Sequence, residues 1–432
     1  MKAAPVRSHP RSIKVTHNTH PTILMDQKLV NEELIVSIAE VARINVQHCA
    51  ELFEIPLSVA QRIRDLDAQA QAQPQFDRLL DLATTPAPLW RLSVTSSDLQ
   101  RMSSRKLAMF STELETYRPV VARLNRMVIG MLVRYANDPI QAALVCGVSS
   151  AVLIKEVQDS ACIALLDCAG NPGRPLIETR ITQAMLDRFF ITCNGQPAEA
   201  QLRGLVAATS CSALEFSILD QEIESGAWGA RQVFFPQEST PKRTGKIPVF
   251  LLKPEDSQLV IKLLAYRVKP IDVERWMADR GLRALQLERL QAELFPHSKD
   301  SREVHSIWGN ATRRLLATTV LLKQRALIRM GMHPLNALVE AFDFQARHHD
   351  QGELLNLSRL LKEVVIPMFS GGSIHLNHCT DCNSVHISNE ERISPMDCPV
   401  CCLVYRKRLG HQRRWKHYIE SHDRIEALPL AA

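Results

Sequence analysis

Two short cysteine pairs, Cys379-Thr-Asp-Cys382 and Cys398-Pro-Val-Cys401, separated by fifteen residues, constrain this chain more than any other feature. A Cys-x-x-Cys turn brings two sulfurs to one side of a loop, and two such turns at this spacing can surround one tetrahedral ion. The pattern predicts a structural zinc site, one ion per chain, held by Cys379, Cys382, Cys398 and Cys401 in a four-cysteine zinc ribbon. Four protein ligands leave no open coordination position, so hydrolytic chemistry at the metal is not expected. The intervening residues, among them Val385, His386, Ile387 and Ile393, are long enough for a small hairpin. His378 and Cys402 flank the motif outside its spacing and are read as neighbours, not ligands.

The competing reading is a set of disulfides. The chain has 11 cysteines, an odd number, and Cys49, Cys146, Cys162, Cys168, Cys193 and Cys211 stand singly among apolar residues, as reduced buried thiols do. That usage implies a reducing, cytoplasmic setting, and no apolar run approaches the ~20 residues that cross a bilayer. Low aromatic content and abundant Leu, Ala, Arg, Gln and Glu favour a mostly α-helical protein.

The helical pattern comes in three similar copies. Leu34–Leu66, Leu124–Val157 and Leu259–Leu290 each read as a supporting helix, a short helix opened by Pro or a polar residue, a tight turn and a following helix. This is the outline of a helix-turn-helix, although small helical cores share it. The third copy carries Arg280, Arg283 and Arg289 on its last helix, which makes it the copy best suited to read bases. Beyond it, a long helix over Ile307–Arg329 is expected to stop at Gly331, and a second to restart at Pro334. An amphipathic helix through Leu354, Leu357, Leu361, Val364 and Val365 should end at Pro367.

The pattern divides the chain into a disordered tail (1–31), a helical domain (32–115), a second helix-turn-helix-like domain (116–235), a linker (236–257), a further helical domain (258–370), the zinc ribbon with a basic segment (371–418) and a tail (419–432). Charge is concentrated in the basic segment: Tyr405–Tyr418 holds Arg406, Lys407, Arg408, Arg413, Arg414 and Lys416 with no carboxylate, interleaved with aromatic residues. Such a run is often a solvated tail, but one anchored to a metal site presents its cations as a fixed array for phosphates. No P-loop, His-Glu-x-x-His or Gly-x-Ser-x-Gly motif is present, and no catalytic residue is assigned.

The order of parts from Leu259 to Arg408 resembles the FlhC family, the zinc-containing subunits of the bacterial flagellar master regulator. The resemblance rests on the third helical copy, the long helix, the helix His333-Pro334-Leu335-Asn336-Ala337-Leu338-Val339-Glu340-Ala341-Phe342, the two knuckles and the basic residues after them. Leu34–Leu92 resembles the small helical partner FlhD in spacing, through Ala50-Glu51-Leu52-Phe53-Glu54-Ile55 and Leu89-Trp90-Arg91-Leu92. The resemblance implies a non-enzymatic transcriptional activator that binds promoter DNA and recruits RNA polymerase, for flagellar or mobile-element transfer genes. It also implies a homo-oligomer or an assembly with an FlhD-like partner, and no membrane association. The alternative is a helical zinc-ribbon scaffold that acts only through protein–protein contacts.

Overall fold

The computed structural model describes residues 21–72, 82–83, 88–108, 110–148, 150–183, 185–186, 252–277, 281–295, 306–348, 355–369, 374–379, 384–389 and 398–402 of the 432-residue chain. These residues are mostly helical, with two small two-stranded sheets.

Three helix triplets stand where the repeats were expected: α1 (Pro21–Ile44), α2 (Val46–Phe53) and α3 (Leu57–Ala72); α5 (Arg118–Tyr135), α6 (Pro139–Cys146) and α7 (Ala151–Asp159); α9 (Pro254–Ala265), α10 (Pro270–Trp276) and α11 (Ala284–Leu294). Within each triplet every helix packs on the other two. Asn45 and Asp138 cap the short helices of the first two copies, and Pro139 and Pro270 occupy first-turn positions where no amide hydrogen is needed. Each turn contains a left-handed residue: Glu54 (φ 50°), Gly147 (φ 68°) and Gly281 (φ 71°). Nothing lies within 4 Å of a Cβ built on Gly147, so only its backbone angle resists substitution. Gly147→Ala is therefore expected to cost about 1 kcal/mol in chemical denaturation without altering the fold.

Three domain boundaries differ from the sequence reading. The first helix begins at Pro21, so residues 21–31 belong to α1 and not to a disordered tail. Gln27, Val30, Asn31 and Leu34 are buried at helical spacing, and Asn31 Oδ1 accepts from Leu89 N at 2.9 Å. The expected 236–257 linker overlaps α9, whose first turn is set by Pro254; the linker positions before 252 lie outside the described residues.

The strand β1 (Trp90–Leu92) pairs antiparallel with β2 (Ile177–Thr179), setting Trp90 opposite Thr179 and Arg91 opposite Glu178. The helices α4 (Ser96–Ser103) and α8 (Cys162–Asp167) pack together. Buried Asn125 on α5 holds the chain that runs from α8 to β2, donating to Ala169 O and Arg174 O (2.8 and 2.9 Å) and accepting from Leu176 N (2.8 Å). Helices α1 and α5 pack on each other, so the first two triplets meet across position 115/116, where a domain boundary was expected.

At the centre lies α12 (Ala311–Arg329), in which Leu315 through Leu321 are buried without interruption. A helix buried on every side must be surrounded, and α12 packs against α6, against α13 (Pro334–His348) and against the C-terminal hairpin. Asn310 caps it, and Gly331 (φ 88°) makes the turn into α13. On α13, Asp343 gathers Lys262 (3.3 Å), Tyr266 and Arg347, fastening α9 to the helix pair.

The last helical rod is α14 (Leu357–Leu360), a π-helical turn (Leu361–Val365) and α15 (Ile366–Phe369). Pro367 was expected to end this helix, yet the helix runs through it. Ile366 N–H donates to Leu361 O five residues back, and that widened turn shifts the carbonyl ladder where proline supplies no donor.

Candidate metal centre

The site is built on a hairpin of β3 (Ile374–His378) and β4 (Val385–Asn389), paired antiparallel from Ile374↔Asn389 to His378↔Val385. The hairpin was expected between the two knuckles; instead its strands enter and leave the first, so that Cys379 follows directly on β3. Cys379 N–H donates to Ser384 O at 2.9 Å, closing the loop that joins the strands. Alternation along β3 buries Ile374 and Leu376, whereas β4 is buried on both faces because α12 covers it.

Docking on α12 is directional. Thr318 Oγ1 accepts from Ile387 N at 3.2 Å while its hydroxyl donates to Arg314 O at 2.8 Å, so one side chain satisfies a buried strand amide from a helix. Thr318→Val keeps the shape and removes the acceptor. The expected cost is about 1–3 kcal/mol, with faster hydrogen exchange at the Ile387 amide and near-complete retention of stability in Thr318→Ser.

The second knuckle returns to the first. Cys398 begins a helical turn in which Cys402 N donates to Cys398 O (2.9 Å) and Cys401 N–H points at Cys398 Sγ (3.5 Å). The sulfurs of Cys379, Cys398 and Cys401 lie within 4.8 Å of one another, and those of Cys379 and Cys401 are 3.7 Å apart. A disulfide needs about 2.05 Å. Two thiolates on one tetrahedral ion with bonds of about 2.3 Å sit about 3.8 Å apart, so the observed separation suits shared metal ligation. Cys379 and Cys398 are buried, and Ser384 Oγ lies 3.5 Å from Cys398 Sγ. The cluster can therefore hold a metal ion.

Of the four sequence-predicted ligands, three converge here and Cys382 lies outside the described residues. Cys402 and His378 are not part of the three-sulfur group. Ser384 and Thr318 were not anticipated. Ser384 could have been suspected from its place two residues after the first knuckle, whereas Thr318 is distant in sequence and unmarked by any motif.

Of the residues expected on DNA, Arg280, Arg406, Lys407, Arg408, Arg413, Arg414 and Lys416 lie outside the described residues. Arg283 precedes α11 and is exposed, with its guanidinium 3.5 Å from Glu274; the same carboxylate accepts from Ala284 N at 2.9 Å and so caps the helix. Arg289 is exposed on α11. No single described helix is long and apolar enough to cross a membrane. Comparison with protein-family models, with curated proteins and with solved structures returns no match for this chain.

Proposed function

We propose that this chain is a zinc-containing, DNA-binding transcriptional activator of the FlhC/FlhD type, acting at promoters of flagellar or mobile-element transfer genes through RNA polymerase. The observation that carries the reading is the convergence of Cys379, Cys398 and Cys401, with Cys382 as the fourth ligand of a zinc ribbon. The ion would fix Cys401, and all six cations from Arg406 to Lys416 follow within fifteen residues of it. Cations anchored in this way lose less entropy on meeting a duplex than those of a free tail, and each phosphate they neutralise releases counterions.

The three helix triplets support a helix-turn-helix reading, with Arg283 and Arg289 of the third nearest the bases. The Glu274 contact would have to open for Arg283 to reach a base, so Arg289 is the better placed of the two. Self-association, or an FlhD-like partner, is supported on α1. Its inward face carries Leu34, Ile38 and Val41, and the exposed Met25, Leu29 and Val36 recur along the helix at spacings of four and seven.

The test is binding of the purified full chain to promoter-length duplex at moderate salt, with light scattering on the same samples. Salt-sensitive binding by an oligomer supports the activator. An oligomer with no affinity for duplex would establish the protein–protein scaffold instead.

A further inference from the structure

A second feature, independent of DNA binding, lies about α12 on the side of the β1–β2 ribbon. A cavity of about 320 Å³ opens between that ribbon, the C-terminal end of α6 and the last three turns of α12. The size falls in the range of small-molecule sites. Its walls combine apolar surface from Ala143, Leu144 and Leu322 with a concentration of positive charge. Arg91 and Arg180 contribute from the ribbon, and Lys323, Arg325 and Arg329 from α12, against the single lining carboxylate of Glu178, which is paired with Arg91.

A concave wall with an excess of one sign focuses potential on whatever enters it. Lys323 registers that potential: burial, with the Arg180 charge beside it, pulls its ammonium down to about 8, although it also stacks 4.8 Å from the Phe344 ring centroid. Trp90 supplies a second observation. This cavity-lining residue is 2% exposed, and its indole N–H is buried with no acceptor among the described residues. A buried donor without a partner is costly, and the cations that line the same cavity cannot accept from it. An anion with several acceptor oxygens would suit both the cationic lining and the indole N–H.

We propose that the chain binds a small phosphate-bearing metabolite, of mononucleotide size or less, in this cavity. Guanidinium forks match phosphate oxygens pairwise, and a phosphate has acceptors to spare for the Trp90 N–H. The occupant would touch both the first half of the chain, through β1, β2 and α6, and the second, through α12. It would therefore stabilise their junction.

The experiment is thermal unfolding and calorimetric titration of the full-length protein with AMP, inorganic phosphate and uncharged adenosine, at constant ionic strength maintained with chloride. AMP and phosphate are expected to raise the unfolding midpoint by several degrees at saturation, and adenosine to leave it unchanged. Lys323→Met, which keeps the contact with Phe344 and removes the cation, should weaken AMP binding tenfold or more. The unliganded variant should melt no lower than the parent, which a purely structural lysine would not allow. Arg329→Ala, at the exposed rim, provides a second variant and should weaken AMP severalfold. The proposal is overturned if neither AMP nor phosphate moves the midpoint, if adenosine matches AMP, or if both variants bind AMP as the parent does.

Discussion

Cys398→Ser is expected to release the metal and unfold the C-terminal hairpin while the helices remain. Cys398 lies at the junction of the site: its sulfur faces the Cys401 amide and Ser384 Oγ, and its carbonyl holds Cys402. A two-stranded hairpin is marginal in water, and a structural zinc supplies on the order of 10 kcal/mol of apparent binding energy to a small unit. With the ion gone, β3 and β4 retain only their own pairing and their contacts with α12 and α15, of which the Thr318–Ile387 bond is a minor part. Metal analysis should fall from one zinc per chain to a trace, limited proteolysis should cut between 370 and 402, and far-ultraviolet dichroism should keep its helical shape. Full zinc content in the variant, or none in freshly purified parent protein, would refute the four-cysteine site.

The second large effect concerns the basic segment. Replacing Arg406, Lys407 and Arg408 together by alanine is expected to weaken binding to any duplex and to flatten the plot of log affinity against log salt. Each cation that truly meets a phosphate contributes a slope of about 0.9, so the loss should reach up to about 3 units. Cognate and random duplex should suffer alike, since phosphate contacts position a protein without reading sequence. Arg289→Ala should act in the opposite sense, narrowing the gap between the two by roughly 1–3 kcal/mol if it reaches a base. Unchanged affinity and unchanged slope in the triple variant would reduce residues 405–418 to a solvated surface, and the activator would lose its principal support.

Charge at the two candidate sites differs in physical origin. The basic segment is a dense run in sequence and was visible as such. The cationic cavity assembles Arg91, Arg180, Lys323, Arg325 and Arg329 from strands and a helix far apart in the chain, and no local pattern announces it.

What the sequence determined by itself is what depends on neighbours a few residues apart. The Cys-x-x-Cys spacings specify sulfur pairs because a short turn can present its two thiols only to one side, and three of the four meet as that rule requires. Asn45, Asp138, Pro139, Gly147 and Gly331 mark helix ends through their own backbone preferences, so the triplets and the α12–α13 turn were legible. The uninterrupted burial of Leu315–Leu321 was not legible there, because Thr318 and Thr319 interrupt the apolar run and charged residues flank it; it emerged only when the surrounding elements were placed. Tertiary structure decided the rest. Helix α1 extends back to Pro21 because Asn31 finds the Leu89 amide, and the last rod passes Pro367 because packing on Leu360, Leu361, Val364 and Val365 sustains a π-turn that local preference disfavours. The β1–β2 pairing and the hairpin's seat on Thr318 join residues 87 and 69 positions apart in the chain. Such contacts draw on burial and hydrogen bonding that exist only after the chain has closed on itself, so they leave no periodicity in the sequence to be read.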